Sequence, residues 1–451
     1  MRVALTFTGL ATVLFAPASP GAQTVFAEDT LQDEDAAIVT SGDTAFQSAP
    51  VVQDDPRIPQ VMEWSPRNAE RLAAVIEGIA SEGLDPADYR PDLLRAEIAR
   101  GPGEALNRRA SGVFAWLVED LRDGRTPMEA RRQWFVVDPD PDLLPTNDIM
   151  VEALETGDVA GVLRALNPTH PDYAKLRAAL AETPASQRDK RRIIRANMDR
   201  WRWLARDLGG QYLITNVPEY QLRLTVNDQI IRTYRTIVGA PGRTATPQLA
   251  ETVQGVIFNP TWTVPQSIVQ GEGLGNRVLG NPAWARRNGY TATRAENGTI
   301  TVVQQPGPGN SLGVMKLDMP NPHAIFLHDT PGKAAFQRDE RALSHGCIRT
   351  ERALELAMTV AILGGGATRD EAVEISTSGE YTRVPVERTM PVYITYFTFG
   401  TDIDGTLRRF DDIYDRDAPV LAALDAPRVG NRARETSEDV IEIVDDLGPI
   451  T

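Results

Sequence analysis

Residues 321–332 read Asn321-Pro322-His323-Ala324-Ile325-Phe326-Leu327-His328-Asp329-Thr330-Pro331-Gly332, and residues 344–349 read Ser344-His345-Gly346-Cys347-Ile348-Arg349. The first run is apolar from 324 to 327 and ends on a histidine, as a strand does when it aims one polar side chain out of a sheet. The second run brackets the only cysteine of the chain, and the two together hold three of its four histidines. A thiol becomes a nucleophile only as thiolate, and a neighbouring imidazole is the usual base. Arg349 adds a cation, and a helix expected to begin near Thr350 would turn its positive end toward the loop. Gly346 leaves the backbone open, so that the N–H groups of Gly346 and Cys347 can receive an oxyanion.

Two histidines compete for the role of base. His345 lies two residues from Cys347, where only a tightly turned loop would bring its ring in line with the thiol. His328 ends a strand and can be held rigidly opposite the loop, so it is the expected base, with His323 at the surface or at the strand entry. A zinc site made of His323, His328, His345 and Cys347 fits no structural zinc spacing, and there is no second cysteine. No metal and no cofactor are expected. A papain-like order fits less well still, since there the cysteine precedes its histidine by a long stretch.

Outward from this core the pattern is mostly β. Leu222, Leu224 and Val226 alternate, Asn227-Asp228 supplies a turn, and residues 230–238 run back as a partner strand. Further strands are expected at 253–258, 300–303, 314–317, 324–328, 372–375 and 392–399, with one clear helix over 351–363. Residues 209–425 thus form a mostly β domain. Upstream the period becomes helical. Ser65-Pro66 opens a helix whose Leu72, Val75, Ile76 and Ile79 share a face, and Gly83 closes it. Helices over 104–121, 147–154 and 172–181 complete a helical domain at 56–190, in which His170 is a surface residue. A basic helix within 188–208 links the two, its arginines read as a solvated face and Trp201 and Trp203 as core or domain contacts. The domain bounds put this linking helix at 191–208.

The termini read differently. Arg2, an apolar run from 3 to 16 and the small-residue stretch ending at Ala27 read as a cleaved signal peptide, 1–27. That run is too short for a bilayer span, and no later segment is long and apolar enough for one. Residues 28–55 read as a flexible acidic N-terminus and 426–451 as an acidic tail, disordered or loosely docked. The chain has 451 residues and a net charge of −15, which argues against a nucleic-acid partner. In an exported protein a lone cysteine has no disulfide partner, which favours a reactive role over an inert one.

At these residues the chain resembles the YkuD-type L,D-transpeptidases, and within them the large Gram-negative branch. The signature is a histidine, a gap, then Ser-His-Gly-Cys, an aliphatic residue and Arg or Asn. Here Cys347 follows His328 by nineteen residues. Asn259-Pro260-Thr261-Trp262-Thr263-Val264-Pro265, Gly309-Asn310-Ser311-Leu312-Gly313, Trp201-Arg202-Trp203-Leu204 and the stretch from Trp64 to Tyr89 resemble further parts of that branch. The resemblance implies a helical scaffold domain, a β-sandwich-like catalytic domain and a lid at about 266–308. It implies that a Cys347 acyl-enzyme forms on a peptidoglycan stem peptide, with release of terminal D-alanine and capture by an amine. His328 would be the proton donor and acceptor, oriented by the backbone carbonyl of Asp329. His345 supports the loop, Arg349 holds a substrate carboxylate, and Ser344, Phe326, Trp262 and Asn310 are further candidates to contact substrate. Periplasmic location, roles in cell-wall biogenesis and cell shape, and acylation by carbapenems follow from the same resemblance. The acceptor is a second stem or an outer-membrane protein.

Two departures stand out. The inserted peptidoglycan-binding module of many relatives is missing, and Phe326 stands where several relatives have tyrosine. Hydrolysis of the same acyl-enzyme, as an L,D-carboxypeptidase, uses every one of these motifs. A non-catalytic wall-binding protein is the reading that the intact set of His328, His345, Cys347 and Arg349 opposes.

Overall fold

The computed structural model describes residues 60–428, 430 and 433–440. The expected signal peptide, the acidic stretch at 28–55 and the last residues of the tail lie outside them. Among the described residues no helix is long and apolar enough to cross a membrane.

The N-terminal half is helical, as its periodicity predicts. Helix Pro66–Gly78 is capped by the Ser65 side chain, which accepts the Asn68 N–H, and buries Ala69, Leu72, Ala73 and Ile76. A single 3-10 turn, Ile79–Glu82, extends it to Gly83, whose φ of 78° ends the run. Helix Glu104–Arg122 runs through the middle of this domain, and Leu106, Val113, Phe114, Leu117 and Leu121 join its core.

The linking helix differs from its expected form. It spans Arg188–Trp201 and stops short of 208. The chain turns there because Trp203 folds back, its indole N–H donating to Asp199 at 3.1 Å. Its ring lies against Gly124, where a Cβ would meet the indole at 2.6 Å. Nor are the arginines all solvated. Arg200 pairs with Asp417 at 2.7 Å, and Arg202 donates to the Glu82 carbonyl and the Tyr173 hydroxyl, both fully buried. Buried guanidinium groups persist only when paired in this way. His170 is no bare surface residue either: it caps helix Pro171–Glu182 and stacks on Trp201 at 4.3 Å.

The C-terminal half is a mixed, eleven-stranded sheet. Strands Gln221–Val226 and Gln229–Gly239 form the expected hairpin, with Asn227 and Asp228 both at positive φ, as a two-residue turn matched to strand twist requires. Strand Gln229–Gly239 then pairs with Ile348–Thr350, which pairs with Leu327–His328, then Met315–Asp318, Gly255–Phe258 and Thr382–Pro385. Helix Ala353–Leu363 packs Leu356, Ala357 and Val360 on the core that this sheet covers. Residues 372–375, expected as a strand, are helical within Arg369–Ser378. The reason is local: Thr368 and Glu371 form a reciprocal capping box, which starts a helix whatever the short apolar run prefers.

The region at 266–308 is a small body of its own. Helices Gln266–Gly271, Leu274–Gly280 and Pro282–Arg287 pack on a three-stranded sheet around Val264, Ile268, Val278 and Val302.

A segment from the helical half reaches the eleven-stranded sheet. Trp134 bridges Gln248, the Phe135 N–H donates to the Gln248 carbonyl at 3.0 Å, and the Gln248 N–H donates back to Gln133 at 2.9 Å. The start of the tail is docked rather than loose: buried Arg428 pairs with Glu119 and Asp120 on helix Glu104–Arg122.

Candidate active site

The site is set by register. Strand Leu327–His328 lies parallel to Ile348–Thr350, with Leu327 beside Ile348 and His328 beside Arg349. On its other side it is antiparallel to Met315–Asp318, with His328 beside Lys316. Side chains alternate across a strand, so Leu327, Ile348, Met315 and Leu317 enter the core together. His328, Arg349 and Lys316 therefore share the opposite face. Phe326 and Cys347, each two residues back, continue that face, and the Ile348 N–H fixes their register by donating to Phe326 O at 2.9 Å. Diagonal neighbours on one face lie about 7–8 Å apart, within reach of an imidazole and a thiol.

The strand ending on His328 is shorter than expected. Ala324 has a φ of 52° and breaks it, so only Leu327 and His328 are extended in the ladder. That bend brings the Ala324 carbonyl to 3.5 Å from the half-buried Cys347 Sγ.

His328 is 5 % exposed, and its Nδ1 lies 2.5 Å from the Asp329 carbonyl. A carbonyl only accepts, so Nδ1 holds the proton and Nε2 is left as the acceptor. Burial, then the positive charges of Arg349 and Lys316, push the ring's pKa down to about 3, against the pull of the Asp329 carbonyl. At neutral pH the ring is therefore an uncharged base. Asp329 is itself clamped: its carboxylate accepts the Val314 N–H at 3.0 Å and pairs with Lys333. It also packs on Gly313, where a Cβ would collide with it at 2.3 Å.

The Ser344–Cys347 loop is tied from within. The Ser344 hydroxyl donates to the Cys347 carbonyl at 2.6 Å and accepts the Gly346 N–H at 3.3 Å. Gly346, at a φ of 115°, thus has its N–H engaged, and an oxyanion must displace that long contact to use it. The Gly346 carbonyl accepts from Thr246, a residue no sequence motif singles out. His345 is half-buried within the loop.

Several expectations change. Ser344 is 2 % exposed and spends its hydroxyl inside the loop, so it is not placed to meet a substrate. Asn310, 1 % exposed, donates to the carbonyls of Pro260 and Gln305 and accepts the Leu312 N–H, which makes it a staple for its own turn. Trp262 is buried in the core of the 266–308 body. His323 is buried, with its ring 4.1 Å from Phe135, and is no surface residue. The helix meant to polarise the thiol begins at Ala353, beyond strand Ile348–Thr350. Three strand residues span about 10 Å, and a helix-end charge fades within its first turn. Arg349 and Phe326 do stand on the face of Cys347. Among the described residues no three His, Cys, Asp or Glu side chains are grouped to hold a metal ion.

Comparison with known proteins fits this geometry. Residues 210–394 match the family model described as the YkuD L,D-transpeptidase catalytic domain, and residues 63–180 match the Scaffold domain. A Haemophilus influenzae protein named "Putative L,D-transpeptidase" is 27 % identical over 226 residues, which cover 47 % of this chain and 45 % of that protein. The chain thus spans less than half the length of the curated relative it matches. Among solved structures, the Ldtfm–avibactam carbamoyl enzyme overlaps 41 % of this chain and 49 % of its own, at 14 % identity and a TM-score of 0.23. The L,D-transpeptidase from Mycobacterium smegmatis covers 41 % of this chain and 58 % of its own, at 14 % identity and a TM-score of 0.21. Overlaps this slight add nothing to the family match. Residues 210–394 are an L,D-transpeptidase catalytic domain of the YkuD family, carried behind a Scaffold domain.

Proposed function

We propose that the chain is a cysteine L,D-transpeptidase that cross-links peptidoglycan in the periplasm after export by residues 1–27. The observation that supports this most is the shared face of His328, Arg349 and Cys347, with the His328 Nδ1 proton committed to Asp329. His328 Nε2 takes the Cys347 proton, and Sγ adds to the carbonyl that joins the third stem residue to the terminal D-alanine. The C–N bond breaks, D-alanine leaves with the proton returned by His328, and a thioester remains. A side-chain amine of a second stem then attacks, gives its proton to His328, and the thiol is regenerated. The developing oxyanion is met by the Gly346 N–H as it leaves Ser344. Arg349 holds a donor carboxylate.

Only residues 181–209 separate the two family matches, and helix Arg188–Trp201 fills about half of them. This supports the reading of a branch member without an inserted wall-binding module, whose donor is captured by the catalytic cleft itself.

The test is mass spectrometry of disaccharide-tetrapeptide incubated with the purified protein. A dimer with the mass of two monomers less one D-alanine, absent with Cys347→Ala, is expected. Release of D-alanine without dimer would make the enzyme a carboxypeptidase. Dimers that appear only on an added outer-membrane protein would move the acceptor to that protein.

A further inference from the structure

A thiolate at Cys347 needs a positive charge nearby, and the face it stands on offers fewer than the sequence suggests. His328 is held uncharged by burial, with its one proton directed to Asp329. The helix end is a strand's length away. Arg349 is one cation on the face, and Lys316 is another.

Lys316 is fixed by register between Ile257 and His328, in the middle of the sheet rather than at an edge. Its stem is half-buried, and its ammonium lies over the Phe326 ring, 3.4 Å from the centroid. Among the described residues it makes no ion pair and no side-chain hydrogen bond. Asp318, the carboxylate on the same face of its own strand, is taken by Arg383 at 2.7 Å. The other groups facing it are Ile257 and Arg383 on one side and His328, Arg349 and Cys347 on the other. Asp329 is occupied by Lys333 and Val314. A half-buried ammonium with no anion of its own is an unbalanced charge, and the acidic group it faces across the site is the Cys347 thiol.

We propose that Lys316 is the counter-charge of the Cys347 thiolate, a positioning residue seated on the face of Phe326. Phe326 gives this seat a physical role: its ring face attracts a cation without neutralising it, so the charge stays available to the thiol. Burial lowers the Lys316 pKa, and the facing Cys347, then Asp318, oppose that.

This inference rests on Cys347 being the nucleophile, but its test needs no peptidoglycan. Cys347 is the only cysteine, so intact mass follows its alkylation alone. The rate of modification by iodoacetamide from pH 5 to 10 gives the midpoint at which the thiolate forms. Lys316→Met keeps the stem on the ring and removes the charge; it is expected to raise the midpoint by roughly half to one pH unit, a figure reduced for solvent exposure. Lys316→Arg is expected to keep the midpoint where it is. Lys316→Gln serves should the Met variant fold poorly, with thermal unfolding run beside each.

A midpoint unmoved by Met or Gln overturns the proposal. So does an equal rise with Arg, which would make shape rather than charge the cause. An unmoved midpoint together with weaker donor binding would make Lys316 a dock for a substrate carboxylate. Failure of the transpeptidase reading would instead show as missing cross-links with the alkylation shift intact.

Discussion

The Thr246 hydroxyl donates to the Gly346 carbonyl at 2.8 Å, and the same oxygen accepts the Gly239 N–H at 2.8 Å. One side chain thus satisfies two buried backbone groups and fixes the glycine that precedes the nucleophile. Thr246→Val keeps the volume and strands both groups, at about 1–3 kcal/mol for each buried partner left unpaired. A lower melting temperature and slower acylation of Cys347 are expected, with Thr246→Ser close to wild type. A Val variant that melts and acylates normally would show that the loop is held elsewhere.

Cys347→Ala is expected to abolish cross-linking while leaving the melting temperature near wild type. The side chain is half-exposed and its removal opens no core. Residual turnover close to wild type would end the cysteine mechanism.

The two histidines should separate. His328→Ala removes a ring held at hydrogen-bond distance from Asp329, whereas His345 lies within the loop it shapes. A positioned base contributes roughly 10²–10⁴-fold. The resemblance implies that a carbapenem acylates Cys347, so the covalent adduct mass can be followed with time in each variant. Slow adduct formation is expected with His328→Ala, and the opposite order would reverse the roles.

The His328 ring also sets a pH dependence. Its pKa falls from 6.5 to about 3 on folding. As pH drops, the unfolded chain takes up this proton near 6.5 and the folded chain only near 3. The contribution to stability is therefore complete above about pH 6.5 and is lost as pH falls toward 3. Between pH 7 and 5 the urea midpoint of wild type should fall more steeply than that of His328→Gln. Parallel slopes would mean that the ring is charged in the fold.

How much of this the sequence reveals depends on how local each cause is. Ser65-Pro66 and Asn227-Asp228 are legible because caps and two-residue turns are written in adjacent residues. That His328 and Cys347 stand on adjacent segments is legible because one apolar run and one glycine-flanked cysteine carry it. Thr246 and Lys316 are not, since each acts on the site through a register set by strands far away in the chain. Residues 372–375 mislead because a short apolar run has no period of its own, and the capping box at Thr368 decides. Arg200 and Arg202 mislead for another reason: an arginine facing inward toward a partner reads the same, in sequence, as one facing water.

The bridge between Trp134 and Gln248 lies two residues from Thr246, and Phe135 continues inward to His323. The boundary at which the family match begins, residue 210, is therefore not a boundary in the folded chain. A fragment cut there would lose the strand partner of Gln248 and the aromatic lining of His323, both borrowed from the other half. Evolution can shuffle a module only where its contacts are its own. This catalytic domain has made its loop dependent on its neighbour, so the pair must be inherited, expressed and melted together.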